Sequence, residues 1–212
     1  MNIGLVLAGG IGSRFGSKTP KQYMSLCGKE VISYSISALL ASKTINKVII
    51  VAQEEQTGPL SEKYNVIAVK GGSSRNESLK NGLDYIYKNF DCKNIIILEA
   101  ARPMVTPKII DEYISRLSEY DAVITGQRIV DSLGKFGVHT VDRSEYYLIQ
   151  APEAFRFDLL YENFKAASPI TATNQQLPEN SKVYINFDFI NNHKITYFAD
   201  LAYCEAMLKG NE

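Results

Sequence analysis

Short apolar runs at residues 3–7, 48–51, 66–69, 95–98 and 122–124 alternate along the chain with longer segments of helical periodicity. The runs are rich in β-branched residues and continuous rather than alternating. Strands buried on both faces read this way. Between them, residues 31–40 carry a helical pattern. In residues 74–90, Leu79, Leu83, Ile86 and Phe90 recur at helical spacing. A third helix starts at Pro107, a favoured first helical residue, and continues through Ile110, Tyr113, Ile114 and Leu117. Residues 198–208 predict a last helix packed on the sheet. Strand–helix–strand alternation implies an α/β fold with a mostly parallel sheet and helices on both faces.

The rhythm breaks at residues 127–151. Gly134, Gly137, Asp131 and Asp142 punctuate two β-prone pieces, 135–141 and 146–149, which predicts a protruding hairpin-like β-arm. Such an arm packs on its own domain or reaches a neighbour; the sequence leaves both open. Residues 168–181, with Pro169 and Pro178, read as a long loop.

The chain has 212 residues, a length that fits a single domain over 1–212. Lys plus Arg equal Asp plus Glu at 23 each, and the pI is near 6.7, which argues against a general nucleic-acid binder. Cys27, Cys92 and Cys204 are far apart and form no CxxC pair, so neither a zinc site nor a disulfide framework is expected, and a reduced, cytoplasmic setting is. The N-terminal apolar run lacks a basic leader and a cleavage site. No stretch nears the roughly 20 apolar residues of a membrane span.

The strongest chemical signal follows the first strand: Leu7-Ala8-Gly9-Gly10-Ile11-Gly12-Ser13-Arg14-Phe15-Gly16, then Pro20-Lys21-Gln22. Glycines let backbone N–H groups approach a phosphate closely, and Arg14 and Lys21 neutralise a polyphosphate. A dinucleotide fingerprint needs glycine where Phe15 stands, and a Walker loop needs a closing Gly-Lys-Ser/Thr that is absent. A glycine turn with surface cations is the plain competing reading.

These residues resemble the nucleotide loop of the sugar-phosphate nucleotidyltransferases. With Pro20-Lys21-Gln22-Tyr23 they are similar to the cytidylyltransferase branch, whose members act on methylerythritol phosphate or on ribitol 5-phosphate. The resemblance implies a Rossmann-like nucleotidyltransferase fold and transfer of CMP from CTP, with release of pyrophosphate. It implies catalytic roles for Arg14, Lys21 and Lys194. Nucleotide contacts fall to Leu7, Ala8, Gly9, Gly10 and Gly12, and to the loop Gly71-Gly72-Ser73-Ser74-Arg75-Asn76-Glu77-Ser78. In that loop Gly72, Ser73 and Ser78 hold the base, and Arg75 has a structural or phosphate role. Glu99-Ala100-Ala101-Arg102-Pro103 implies a Mg²⁺ ligand at Glu99, a nucleotide contact at Ala100 and a buttress at Arg102. The arm implies a homodimer, with Ser132 and Arg143 at the acceptor, and Thr173 joins them from the 168–181 loop. His139 and His193 read as structural.

Three positions depart from the family pattern. Glu99 stands where an Asp is usual, Asn174 replaces an acid, and Gln150-Ala151-Pro152-Glu153 varies a Gln-Thr-Pro-Gln block. They tilt the expected acceptor toward a polyol or sugar phosphate of surface-glycan synthesis, with methylerythritol phosphate of isoprenoid-precursor synthesis as the alternative. They also admit a nucleotide-binding protein with reduced or lost transferase activity. An NAD-type oxidoreductase ranks last, because the third glycine is missing.

Overall fold

The computed structural model describes residues 1–10, 15–17 and 19–210. In chain order the elements are β1 (Asn2–Leu7), β2 (Ser25–Leu26), β3 (Lys29–Glu30), α1 (Val31–Leu40), β4 (Lys47–Ala52), α2 (Glu54–Tyr64), β5 (Ile67–Lys70) and α3 (Arg75–Asn89). They continue with β6 (Asn94–Glu99), α4 (Pro107–Arg116), β7 (Ala122–Arg128), β8 (Tyr147–Arg156), α5 (Phe157–Asn163), β9 (Val183–Asn186) and α6 (Ala199–Lys209).

Seven strands form one sheet in the order β5-β4-β1-β6-β8-β7-β9. β5, β4, β1 and β6 are mutually parallel, and so are β7 and β9. β8 enters antiparallel between β6 and β7. The central strands are apolar on both faces because helices cover both. Ile32, Ile36 and Leu39 of α1, Leu60 of α2 and Ile110, Tyr113 and Ile114 of α4 pack with Val6, Ile50, Ile96 and Leu98 on one face. Leu79, Leu83 and Ile86 of α3, with Phe157 and Leu160 of α5, pack with Leu5, Ile49, Ile95 and Ile97 on the other. Each fully buried aliphatic side chain contributes roughly 1.5–3 kcal/mol.

Two expectations need correction, and one helix was not anticipated. First, α6 packs away from the sheet. Its Leu201, Cys204, Met207 and Leu208 join Phe15, Leu26, Val31, Met104 and Ile195 in a separate small cluster. Second, the arm is β7 and β8 paired antiparallel down to Arg128↔Tyr147, with residues 129–146 as an irregular excursion beyond them. Residues 135–141 make one isolated bridge, Lys135 to Val138, rather than a strand. Gly137, at φ +76°, turns the chain there, and β propensity alone does not hold a strand that lacks a partner. The unanticipated helix, α2, forms where no apolar periodicity announces it. It contains Gly58 and Pro59, and only Leu60 is buried. Among the described residues no helix is long and apolar enough to cross a membrane.

Candidate active site

The carboxyl ends of β1, β4, β5 and β6 open onto one cavity of about 620 Å³. Ligands enter open α/β sheets at such strand ends, and the volume suits a nucleotide. β1 ends at Leu7, and Ala8, Gly9 and Gly10 carry the chain along the cavity wall. A Cβ on Gly10 would meet nothing within 4 Å, and one on Gly9 only the Ser78 hydroxyl at 3.4 Å, so the backbone here is bare to a ligand. The turn is shaped from behind by Gln22, which is buried. Its Nε2 donates to the carbonyls of Ala8 (2.8 Å) and Gly10 (2.9 Å).

Beyond β5, the loop from Gly71 to Ser74 makes the facing wall. Ser74 caps α3, its Oγ accepting from the Glu77 N–H at 3.1 Å. Glu77 turns back to accept from the backbone N–H (2.7 Å) and hydroxyl (2.5 Å) of Ser73. Ser78 is buried and accepts from the Gly72 N–H at 3.1 Å. Gly72 has no room for a side chain: a Cβ would sit 2.3 Å from the Glu77 Cβ. The loop is therefore tied by hydrogen bonds to the first turn of α3.

Glu99 ends β6 and lines the cavity beside Ala100. Its Oε1 accepts from Lys194 Nζ at 2.9 Å and its Oε2 from Arg102 Nε at 3.0 Å. Burial alone would raise this carboxyl, but the two cations outweigh burial and hold it at about 2. Glu99 is thus an anion at neutral pH. Arg102 also donates from Nη1 to the Asn192 carbonyl at 2.7 Å, so it buttresses the strand end. Asn192 is buried. Its Nδ2 donates to Gln150 Oε1 (2.9 Å) and to the Ala151 carbonyl (2.7 Å), which places the segment carrying Lys194. On the same segment the Ile195 carbonyl accepts from Lys21 Nζ at 2.6 Å, and the Ile195 N–H donates to Ala101 at 2.9 Å.

The cavity therefore brings together Leu7, Ala8, Gly9, Gly10, Lys21, Gly72, Ser73, Arg75, Ser78, Glu99, Ala100 and Lys194. Gly12 and Arg14 lie outside the described residues. The three acceptor candidates do not line it. Ser132 and Arg143 are exposed in the excursion beyond β7 and β8, where Arg143 Nη1 donates to the Val130 carbonyl. Thr173 is fully buried behind Arg75, and its hydroxyl is spent on Glu153 (3.1 Å) and Arg75 (3.3 Å). His193 Nε2 and Asp200 Oδ1 lie 3.0 Å apart, an arrangement that braces the start of α6. Gln22, Asn192, Gln53 and Thr196 are residues the sequence reading passed over. Gln22 directly follows Lys21 in the first motif, but nothing in a sequence marks an amide as buried.

No group of three or more His, Cys, Asp or Glu side chains that could hold a metal occurs among the described residues. A divalent cation still fits at Glu99. Mg²⁺ is commonly held by one or two carboxylates plus phosphate oxygens and water, and each Glu99 oxygen keeps a lone pair beyond its one hydrogen bond.

Residues 3–210 match the family described as IspD: 2-C-methyl-D-erythritol 4-phosphate cytidylyltransferase. The chain belongs to this family. It is a cytidylyltransferase, a nucleotidyltransferase of Rossmann-like fold. A 2-C-methyl-D-erythritol 4-phosphate cytidylyltransferase of Clostridium acetobutylicum is 31% identical, with 100% of this chain and 99% of the relative covered. The enzyme of that name from Clostridium beijerinckii is 32% identical over 97% of each. Among solved structures, the 4-diphosphocytidyl-2C-methyl-D-erythritol synthase of Anaerococcus prevotii superposes with a TM-score of 0.82 at 23% identity. It covers 98% of this chain and 96% of that one, and shares the fold.

Proposed function

We propose that the protein transfers the cytidylyl group of CTP to 2-C-methyl-D-erythritol 4-phosphate, within a single catalytic unit spanning residues 1–212. One observation carries this reading. The bare glycine turn, the base-side loop and two lysines meet in one cavity, in a chain similar over its full length to cytidylyltransferases of that name. The tilt toward a polyol phosphate is withdrawn, because it rested on three departures from a pattern and the relatives over the whole chain point to the alternative acceptor. Two of those departures have a place in the geometry: Glu99 is held by Lys194 and Arg102, and Glu153 is buried beside Arg75.

In this reading an oxygen of the acceptor phosphate attacks the α-phosphorus of CTP. The bond from that phosphorus to the bridging oxygen breaks, and pyrophosphate leaves. A phosphate dianion is already a nucleophile at neutral pH, so catalysis is positioning and charge neutralisation. Lys21 and Lys194 meet the phosphates from one side, with Arg14 as a third cation. Gly9 and Gly10 offer backbone donors, a role also proposed for Gly12. Gly72, Ser73 and Ser78 face the base. Mg²⁺ at Glu99 would neutralise charge on the phosphate oxygens.

Thr173, fully buried, bears on the site only through Arg75 and the loop before it. Ser132 and Arg143 serve an acceptor from the arm of a second copy, which makes the working species a homodimer. A reduced, cytoplasmic setting suits the free Cys27 and the buried, unpaired Cys92 and Cys204. The test is pyrophosphate release from CTP and Mg²⁺ with methylerythritol phosphate and ribitol 5-phosphate offered in parallel. Release with the first alone is expected. Release with the second alone, or with neither, overturns the reading.

A further inference from the structure

Glu153 is the acid that this reading of the reaction leaves without a task. It lies on β8, opposite Ile97 of β6 and Ile124 of β7, on the same face as Phe155 and so under α3. It is 2% exposed. Its Oε1 accepts from Arg75 Nη2 at 3.3 Å and from the Thr173 hydroxyl at 3.1 Å, while Oε2 is buried without a hydrogen bond of good geometry among the described residues, the Asn174 N–H being the backbone donor nearby. Burial pushes its carboxyl up, against the pull of Arg75 and Thr173. A half-paired buried carboxylate is costly, and an apolar or amide residue would fill a strand position more cheaply.

Arg75 is what the acid holds. It is the first residue of α3, where the helix dipole disfavours a cation. Both its terminal nitrogens are spent on protein acceptors. Nη1 donates to the Thr171 carbonyl (2.8 Å) and to Thr173 Oγ1 (3.3 Å), and Nη2 donates to Glu153 and to Thr173 Oγ1 (3.3 Å). A guanidinium engaged in this way is a tie rather than a fork offered to phosphate. The next residue repeats the tie: Asn76 Nδ2 donates to the carbonyls of Ser168 (3.0 Å) and Ile170 (2.9 Å). Asn76 therefore already anchors the 168–170 backbone, and Glu153 adds a restraint on Arg75 itself. Upstream of Arg75 the chain passes directly through Ser74 and Ser73 to Gly72, the wall that faces the base.

We infer that Glu153 is a positioning residue for nucleotide choice: by clamping Arg75 and Thr173 it fixes the Gly72–Ser74 loop at the spacing that distinguishes cytosine from uracil. The inference rests on the proposed use of CTP, and its test is a binding measurement that needs no acceptor. CTP and UTP are titrated, with Mg²⁺, into the full chain, Glu153→Gln and Glu153→Ala, with thermal melting of each. By analogy with other supporting groups behind a binding site, Glu153→Ala should weaken CTP about tenfold and UTP much less, so that the preference collapses. Glu153→Gln keeps an acceptor oxygen but loses the charge, and should recover part of that preference. If Glu153→Ala does not fold, Glu153→Gln alone should still show a narrowed CTP-to-UTP ratio. An unchanged ratio in the folded variants, or equal weakening of both nucleotides, overturns the inference while leaving the function intact. A full chain that binds neither nucleotide overturns both.

Discussion

Lys21 shows how much of the site turns on single atoms. Its ammonium meets the Ile195 carbonyl at 2.6 Å on the cavity wall, and a charge so placed is oriented before any ligand arrives. Loss of one preorganised electrostatic donor costs on the order of 10²–10³ in turnover, and that is the drop expected for Lys21→Ala in a steady-state assay, with the melting temperature little changed. Glu99 supplies a prediction in pH. Its carboxyl lies at about 2 against a usual 4.5, so the unfolded chain takes up the proton first as pH falls. The stabilisation is therefore whole above about pH 5 and drains away between about 4.5 and 2, amounting by linkage to about 3 kcal/mol at most. Urea midpoints measured from pH 7 down to pH 3 should show this loss in the parent chain and not in Glu99→Gln. Glu153 runs the other way: its carboxyl is raised, so its ionisation costs stability as pH climbs past 4.5. The glycines and lysines of the site could be read from the sequence because their types announce phosphate chemistry. Gln22, Glu153 and Asn192 could not, since their work depends on burial and on partners far away in the chain.

Elements were legible where one physical rule governed them. The runs ending at Leu7 and Leu98 are hydrophobic throughout because helices cover both faces, and α1 matches its expected span of 31–40. α2 was hidden by Gly58 and Pro59, and β9 by its brevity and half-buried pattern at the sheet edge. The base-side loop is the element most sensitive to a small change. In Gly72→Ala the new methyl would overlap Glu77, whose carboxylate orders Ser73. Overpacking of this kind costs about 1–3 kcal/mol, and the loop must open to relieve it. CTP titration into this variant should show at least a tenfold weaker complex, whereas a Gly10→Ala change, which meets nothing within 4 Å, should leave the fold untouched.

At the scale of the whole molecule, the arm presents exposed apolar side chains. Phe136 is fully exposed and Val130 is 78% exposed, with Tyr146 and Leu148 about half exposed nearby. An apolar patch on a projecting segment is most simply covered by another copy. Sedimentation should give a dimer for the parent chain and a shift toward monomer for Phe136→Asp. Transfer activity should fall with it if Arg143 serves the neighbouring cavity. The sequence left open whether the arm folds home or reaches out, since alternation fixes a strand's faces and not its partner. The order of assembly carries a different consequence. Lys21 and Glu99 belong to the first half of the polypeptide, yet both are completed by Lys194 and Ile195, within the last twenty or so residues. A chain still emerging from the ribosome can lay down its sheet while its grip on nucleotide stays unfinished, so a truncated product would draw little from the cellular CTP pool.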